Sequence, residues 1–330
     1  SPAMGSAHRT VEDELEKILS GEGSPVQRFD SAPDLQSVAL RKTTCYIVCG
    51  VIFNEKNEVL MMQEAKPECH GQWYLPAGRM EENESIVEGM RREVREETGL
   101  ECDPVTLLLV QENGPRWIRF TFLARATGGM IKTEAEADSE SLQARWWDRL
   151  SHLPLRARDI LPLIEAGLRY KEEQWFPPTL PVDIPCHLLC QRLILTFTDT
   201  SNHLWLLLGT QDDLHLPVTV SGIGPAERSR NLTWAIRRLV RECMPCSQIT
   251  SKTLGVFGLQ HHGRDPGKTD GICFNVLVSI EHTSETASTG NPPVLESDKF
   301  QWHKVENQDL KAQLEQRQDS RSVVPIHSIF

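Results

Sequence analysis

The chain has 330 residues, a length that fits two domains better than one. Hydrophobic residues at 39% and charged residues at 25% lie near globular averages, which excludes wholesale disorder. A formal net charge of −11 argues against polymeric nucleic acid as a partner, because such binders present a basic surface.

No window offers roughly 18 uninterrupted apolar residues, so neither a membrane span nor a membrane partner is expected. A basic-then-apolar leader is also missing, and Ser1-Pro2-Ala3-Met4-Gly5-Ser6 reads as a cloning remnant. Nine cysteines in such a chain read as reduced thiols, which implies a cytoplasmic protein.

In chain order, Thr10 is placed to cap a helix through Leu19, with Glu12 and Asp13 in its first turn and Gly21 beyond its end. Residues 22–38 are rich in Ser, Pro and Asp and read as a loose connector, so 1–40 forms a helix plus connector. Cys45–Phe53 and Glu58–Met62 are β-prone runs joined by Asn54-Glu55-Lys56-Asn57, a hairpin pattern. Ser85–Thr98 reads as a helix. Val105–Gln111 and Trp117–Ala124 read as strands around Asn113-Gly114-Pro115. Trp146-Trp147 ends a further strand, and Ala157–Lys171 reads as a helix. These elements define one α/β domain over 41–175.

Pro177, Pro178, Pro181 and Pro185 crowd a short stretch, which excludes a helix or central strand and places a linker over 176–185. Leu188–Phe197 and Leu204–Leu208 then open a second α/β domain over 186–330, within which 282–298 reads as a mobile loop. Protein partners through 186–330 are an open expectation.

The chemistry lies between Leu75 and Leu100. Gly78 is followed at fixed gaps by Glu84, Arg92-Glu93-Val94, Glu96-Glu97 and Gly99-Leu100. On a helix turning about 100° per residue, Glu93, Glu96 and Glu97 fall near 0°, −60° and +40°, on one face. Ile86, Met90 and Val94 recur at i, i+4, i+8 and form the stripe expected to be buried, so the acidic face is expected to look away from most of the core. Three crowded carboxylates raise one another's pKa unless a cation sits among them, and hard oxygen donors suit Mg²⁺ or Mn²⁺. Gly78 removes a Cβ where the loop before the helix must approach a metal and phosphate closely.

This pattern resembles the signature of the Nudix (MutT-like) hydrolases at every fixed position. The resemblance implies a Nudix α/β/α sandwich with a mixed sheet. Glu93, Glu96 and Glu97 would be metal-binding and catalytic, one of them helping to deprotonate or orient water. A backbone carbonyl of Ala77 or Gly78 would join them. Glu84 and Arg92 would brace the loop against the helix. A further acid is expected on a later loop: Glu140 fits best, with Glu136 and Asp138 as neighbours. Substrate contacts are expected at Leu60, Lys66, Arg79, Phe122 and Asp159. Asp159 would read the base from the start of the last helix.

Glu81-Glu82-Asn83 departs from the more familiar Glu-Pro-Gly or Glu-x-Gly of this loop, so a different loop rigidity is expected. The implied substrate is a small nucleotide, an oxidised purine nucleoside diphosphate such as 8-oxo-dGDP or 8-oxo-GDP, cleaved to the monophosphate. Two alternatives stand beside it. One is a pyrophosphatase for ADP-sugars or dinucleotides. The other is a nucleotide-binding interaction module.

The second half echoes the first. Leu216-Pro217 echoes Leu75-Pro76, Ala235–Cys243 echoes Gly89–Glu97, Gly271–Ile280 echoes Trp117–Ala124, and Gln301-Trp302 echoes Arg145-Trp146. In this register Glu93 corresponds to Leu239 and Glu97 to Cys243, and only Glu242 keeps an acid, opposite Glu96. A single carboxylate cannot build the cluster, so 186–330 is expected to be a degenerate Nudix-like α/β domain without a metal cluster. Cys243 and Cys246 form a C-x-x-C with no second pair to complete a zinc site.

Overall fold

The structure, a computed structural model, describes residues 2–283 and 290–329, with side chains from Thr10 onward. Helix α1 (Pro2–Leu19) begins well before the Thr10 cap, because Pro2 stands in a first turn where its missing N–H costs nothing. It ends as expected, with Gly21 in the left-handed region at φ 85°.

The first half comprises β1 (Cys45–Ile52), β2 (Val59–Gln63), β3 (Trp73–Tyr74), β4 (Ala77–Arg79), α2 (Ile86–Thr98), β5 (Leu100–Glu112), β6 (Trp117–Gly129), β7 (Gln143–Trp147) and α3 (Leu161–Glu172). β1 runs parallel to β6 and antiparallel to β4, and β5 flanks β6. β2, with β3 and β7 on its two sides, forms a smaller sheet. α2 covers one face of β1, where the missing Cβ of Gly50 leaves room for Val94. α3 covers the other, with Gly167 against Val51 and Phe53. Neighbouring residues of one strand thus face different helices, which is the α/β/α sandwich.

The second half repeats this plan. It comprises β8 (Leu189–Thr198), β9 (Leu204–Gly209), β10 (Val218–Val220), α4 (Leu232–Cys243), β11 (Ile249–Gln260), β12 (Ile272–His282), β13 (Phe300–Lys304) and α5 (Gln308–Asp319). β8 runs parallel to β12 and antiparallel to β10, while β9 pairs with β13. These pairings match β1 with β6, β1 with β4, and β2 with β7, so the echo in sequence is an echo of topology. Arg238 ion-pairs with Glu227 and donates to the Val220 carbonyl, as Arg92 does to Glu84 and Arg79. The bracing pair recurs where Leu239 and Cys243 stand opposite Glu93 and Glu97.

Three segments are more ordered than their composition implied. The connector at 22–38 lies against the second half: Asp30 takes the Val218 amide at 2.8 Å, and its other oxygen lies 2.7 Å from His215. Arg192, 2% exposed, draws the chain in, taking the carbonyls of Ser24 and Pro25 and the carboxylate of Glu14. A buried guanidinium requires such acceptors.

The Pro-rich stretch at 176–185 is a strap. Thr179 bonds both ways with the Thr106–Leu107 segment of β5, and Val182 donates to Leu259 of β11. Part of the expected loop at 282–298 lies outside the described residues, at 284–289. Its flanks are held, with His282 closing β12 and the Glu296 amide 2.8 Å from the Cys243 carbonyl.

The last strand, β14 (Ile326–Ser328), pairs outside the second half. It adds in parallel to β5 beside Val110–Glu112, so the sequence boundary at 186–330 does not describe the chain's end. The two halves also meet through side chains, with Phe120 stacked on Phe274 and the Tyr46 hydroxyl donating to the Asp270 carbonyl at 2.6 Å.

Candidate active site

α2 is built by local signals. Ser85 caps it and, with Glu88, closes a capping box, and Gly99 ends it at φ 80°. Ile86, Met90 and Val94 lie in the core at 1%, 0% and 0% exposure, as their spacing predicts. Asn83 sits at φ 65° in the loop where the family more often has Gly, and asparagine is the residue best suited to replace glycine there.

The acidic face does not look away from the core. Glu93 and Glu97 are buried, and only Glu96 keeps substantial exposure. The cause is β4, which closes over the helix. The Ala77 amide donates to Glu97 Oε1 at 2.8 Å, and a Cβ at Gly78 would lie 2.3 Å from the Glu93 carboxylate. Two buried acids make a stronger cation site than a solvated stripe, because water compensates less of their charge.

Arg92 compensates part of it. Its guanidinium takes both oxygens of Glu84 at 2.9 Å, then reaches Glu93 at 3.0 Å and Glu96 at 3.2 Å. Glu84 in turn accepts the Glu81 amide at 2.7 Å, so the loop and the helix are locked through one fork.

Glu140 comes to this cluster from the loop before β7. Carboxylate oxygens of Glu93, Glu96 and Glu140 lie within 4.8 Å of one another. Its neighbours are otherwise engaged, Asp138 on Lys132 at 2.6 Å and Glu136 on Thr133 at 2.9 Å. The Ser141 hydroxyl donates to the Glu97 carbonyl at 2.7 Å, which anchors the loop at the end of α2. The donor set fits a hard divalent cation. It is all oxygen, anionic and crowded, and Gly78 leaves the cradle open.

Burial pushes the Glu93 carboxyl up to about 7, with Glu96 and Glu140 adding repulsion that Arg92 opposes. Glu97 is pushed well above the carboxylate range, first by burial and then by Glu93. A raised carboxyl contributes stability that is complete below its unfolded value of 4.5 and lost as pH rises through its folded value. Metal-free protein is therefore expected to lose thermal stability as pH rises from about 5 through about 7, and Mg²⁺ should reduce that loss. Melting curves at several pH values in EDTA and in Mg²⁺ check this. A slope that Glu93→Gln leaves unchanged would remove Glu93 as its cause.

Of the expected substrate residues, Lys66 and Arg79 are exposed, and Lys66 is close enough to Glu97 to act on its carboxyl. Leu60 and Phe122 are each 0% exposed. Both are enclosed by core side chains, so the structure offers a ligand no surface on either. Asp159 is not a free acid at a helix start. It precedes α3 in a short 3₁₀ turn and accepts from the Tyr74 hydroxyl at 2.8 Å and from Arg119 at 2.9 Å. Arg119 is 6% exposed and also holds Gln111 at 2.9 Å. Beside it, burial pushes the Cys49 thiol up to about 12, and Arg119, Asp159 and Glu97 are the charges acting on that thiol. The polar network and the acidic cluster thus flank one residue.

The NUDIX domain profile matches residues 44–164. An 8-oxo-dGDP phosphatase NUDT18 from Danio rerio is 55% identical over 99% of this chain and 100% of its own. The chain belongs to the Nudix hydrolase family. Proteins of the same name from Homo sapiens and Mus musculus are 49% and 48% identical, over 95% and 94% of this chain and 97% of each of theirs. Nudix hydrolases generally need a divalent cation, and the carboxylates of Glu93, Glu96 and Glu140 are close enough together to hold one. Among the described residues no helix is long and apolar enough to cross a membrane.

Sequence reasoning reaches the partners of Asp159 only in part. Tyr74 is able to stack on a base, though paired aromatics on strands are more often core, and Arg119 belongs to no motif. The available signal was an arginine between Ile118 and Phe120 in an apolar strand, at a position whose side chain the sheet must bury.

Proposed function

We propose that this Nudix hydrolase converts oxidised purine nucleoside diphosphates, 8-oxo-dGDP and 8-oxo-GDP among them, to monophosphates and phosphate. The observation that carries this reading is identity of about half over nearly full length to proteins named for 8-oxo-dGDP, together with the grouped carboxylates of Glu93, Glu96 and Glu140 here. Hydrolysis adds water across the phosphoanhydride. The water oxygen bonds to one phosphorus, and the bridging oxygen leaves with the other.

Glu93, Glu96, Glu97 and Glu140 would hold Mg²⁺, or Mn²⁺ in its place, with a carbonyl of Ala77 or Gly78 as a further donor. The bound cation supplies neutralisation of charge on the attacking and leaving oxygens. One of Glu93, Glu96 and Glu97 takes the water proton. Arg92 and Glu84 act as positioning residues, fixing the loop against α2. Lys66 and Arg79, both exposed near the cluster, face the diphosphate. Residues 186–330 carry no catalysis, since Thr219 fills the place of Gly78 and Leu239 that of Glu93. All nine cysteines are free, in keeping with a cytoplasmic setting.

Asp159 reads the purine edge, held and oriented by Arg119 and Tyr74. A carboxylate there accepts from the N1 hydrogen and the exocyclic amine of an oxidised guanine. Asp159→Ala is expected to narrow the preference for 8-oxo-dGDP over dADP, whose base has no N1 hydrogen, by about tenfold, on the order of one hydrogen bond to a charged group. The kcat/KM ratio for the two nucleotides, measured in both proteins, tests this. An unchanged ratio would reduce Asp159 to a partner of Arg119.

A further inference from the structure

The registers of the two halves can be overlaid residue by residue. Leu123 lies beside Val51 as Leu277 lies beside Ile194, and Asp103 lies beside Arg125 as Lys252 lies beside Ser279. Lys252 therefore occupies the place of Asp103. Arg237, immediately before the bracing Arg238, occupies the place of Arg91.

In the first half this pair is a salt bridge, with Arg91 Nη2 2.8 Å from Asp103 Oδ1. In the second half both members are cations, and both line a cleft of about 580 Å³ between α4, β11 and β14. His327 of β14 adds an imidazole to the wall. None of the three forms an ion pair among the described residues.

All three are exposed, so they are solvated and open to an anion from the surrounding water, which would lower whatever repulsion remains between them. The acid in the wall does not serve. The Glu112 carboxylate is 1% exposed and already accepts the amides of Gly114 at 2.6 Å and Leu232 at 3.1 Å and the Ser328 hydroxyl. Thr233 and Ser251 bring hydroxyl donors to the same wall. The volume lies within the range of small-molecule pockets, roughly 300–1,000 Å³.

From this geometry we infer that the cleft between α4, β11 and β14 is a second, non-catalytic site for a phosphorylated small molecule, its phosphate held by Arg237 and Lys252. A doubly charged phosphate can accept from both cations and from the hydroxyls at once, which a carboxylate or chloride cannot match. Because β14 forms one wall and pairs with β5, occupancy would tie the chain's end to the first sheet.

Calorimetric titration of the full chain in EDTA, with inorganic phosphate and with dGMP as separate probes, tests the assignment. EDTA removes the divalent cation, and the variants Lys252→Asp and Arg237→Ser separate binding at the cleft from binding of dGMP at the catalytic site. One saturable site is expected, weakening as salt rises. Tighter binding of dGMP than of phosphate would identify the ligand as a nucleotide, and equal binding would identify it as the phosphate group itself. Lys252→Asp recreates the pairing seen between Arg91 and Asp103, so it should fold normally while weakening binding at least tenfold. Arg237→Ser should do the same by removing the other cation. Absence of saturable binding at millimolar probe, or unchanged affinity in both variants, would overturn the inference.

Discussion

Glu97→Gln is expected to lower turnover of 8-oxo-dGDP by about 10³-fold, or about 4 kcal/mol of transition-state stabilisation, while leaving the fold intact. Glutamine keeps an oxygen for the Ala77 amide, which lies 2.8 Å from Glu97 Oε1, so the loop should stay in place. What disappears is a buried negative charge. Its loss should leave metal-free protein at least as stable at pH about 8, because the ionised acid is costly to bury there. The Mg²⁺-induced rise in melting temperature should shrink. Turnover and melting curves, with and without Mg²⁺, separate a lost ligand from a lost fold. A variant with full activity would remove Glu97 from the chemistry.

Gly78→Ala should cost nearly as much by a different route. The backbone there suits any residue, so only space is at issue. The added methyl would lie 2.3 Å from the Glu93 carboxylate, which must then turn aside. A displacement of about 1 Å at a reacting centre costs about 10²-fold in rate, so kcat is expected to fall by that factor. Melting temperature should change little. The second half already carries this change: Thr219 stands in the place of Gly78, its hydroxyl on the Ala235 carbonyl at 2.9 Å, with Leu239 where Glu93 would be. Kinetics of Gly78→Ala beside Glu242→Gln give the comparison. Glu242→Gln, in the degenerate half, should leave turnover unchanged.

The parts of this site legible in sequence are those with local causes. Ser85 and Gly99 mark the ends of α2, and Ile86, Met90 and Val94 mark its buried side, because caps and helical period act within a few residues. Glu140 was reachable by its distance from Trp146. Burial of Glu93 and Glu97 was not legible, since it depends on β4, a strand of three residues with no periodic signal of its own. The Asp159–Arg119–Tyr74 network joins residues 40 and 85 positions apart, and no local rule brings them together. Composition misled at 22–38 and 176–185. Pro and Ser exclude regular strands there, but do not prevent single bonds to Val218, Thr106 and Leu259. The crossing of β14 to β5 had no sequence signature, because three residues of strand can pair with any open edge.

Release of phosphate from 8-oxo-dGDP, dGDP and ADP-ribose by the full chain with Mg²⁺ addresses the central claim most directly. The expected result is Mg²⁺-dependent conversion of 8-oxo-dGDP to 8-oxo-dGMP and phosphate, with kcat/KM at least tenfold above that for dGDP and no appreciable cleavage of ADP-ribose. Preferred cleavage of ADP-ribose, or no Mg²⁺-dependent hydrolysis of 8-oxo-dGDP, would contradict it.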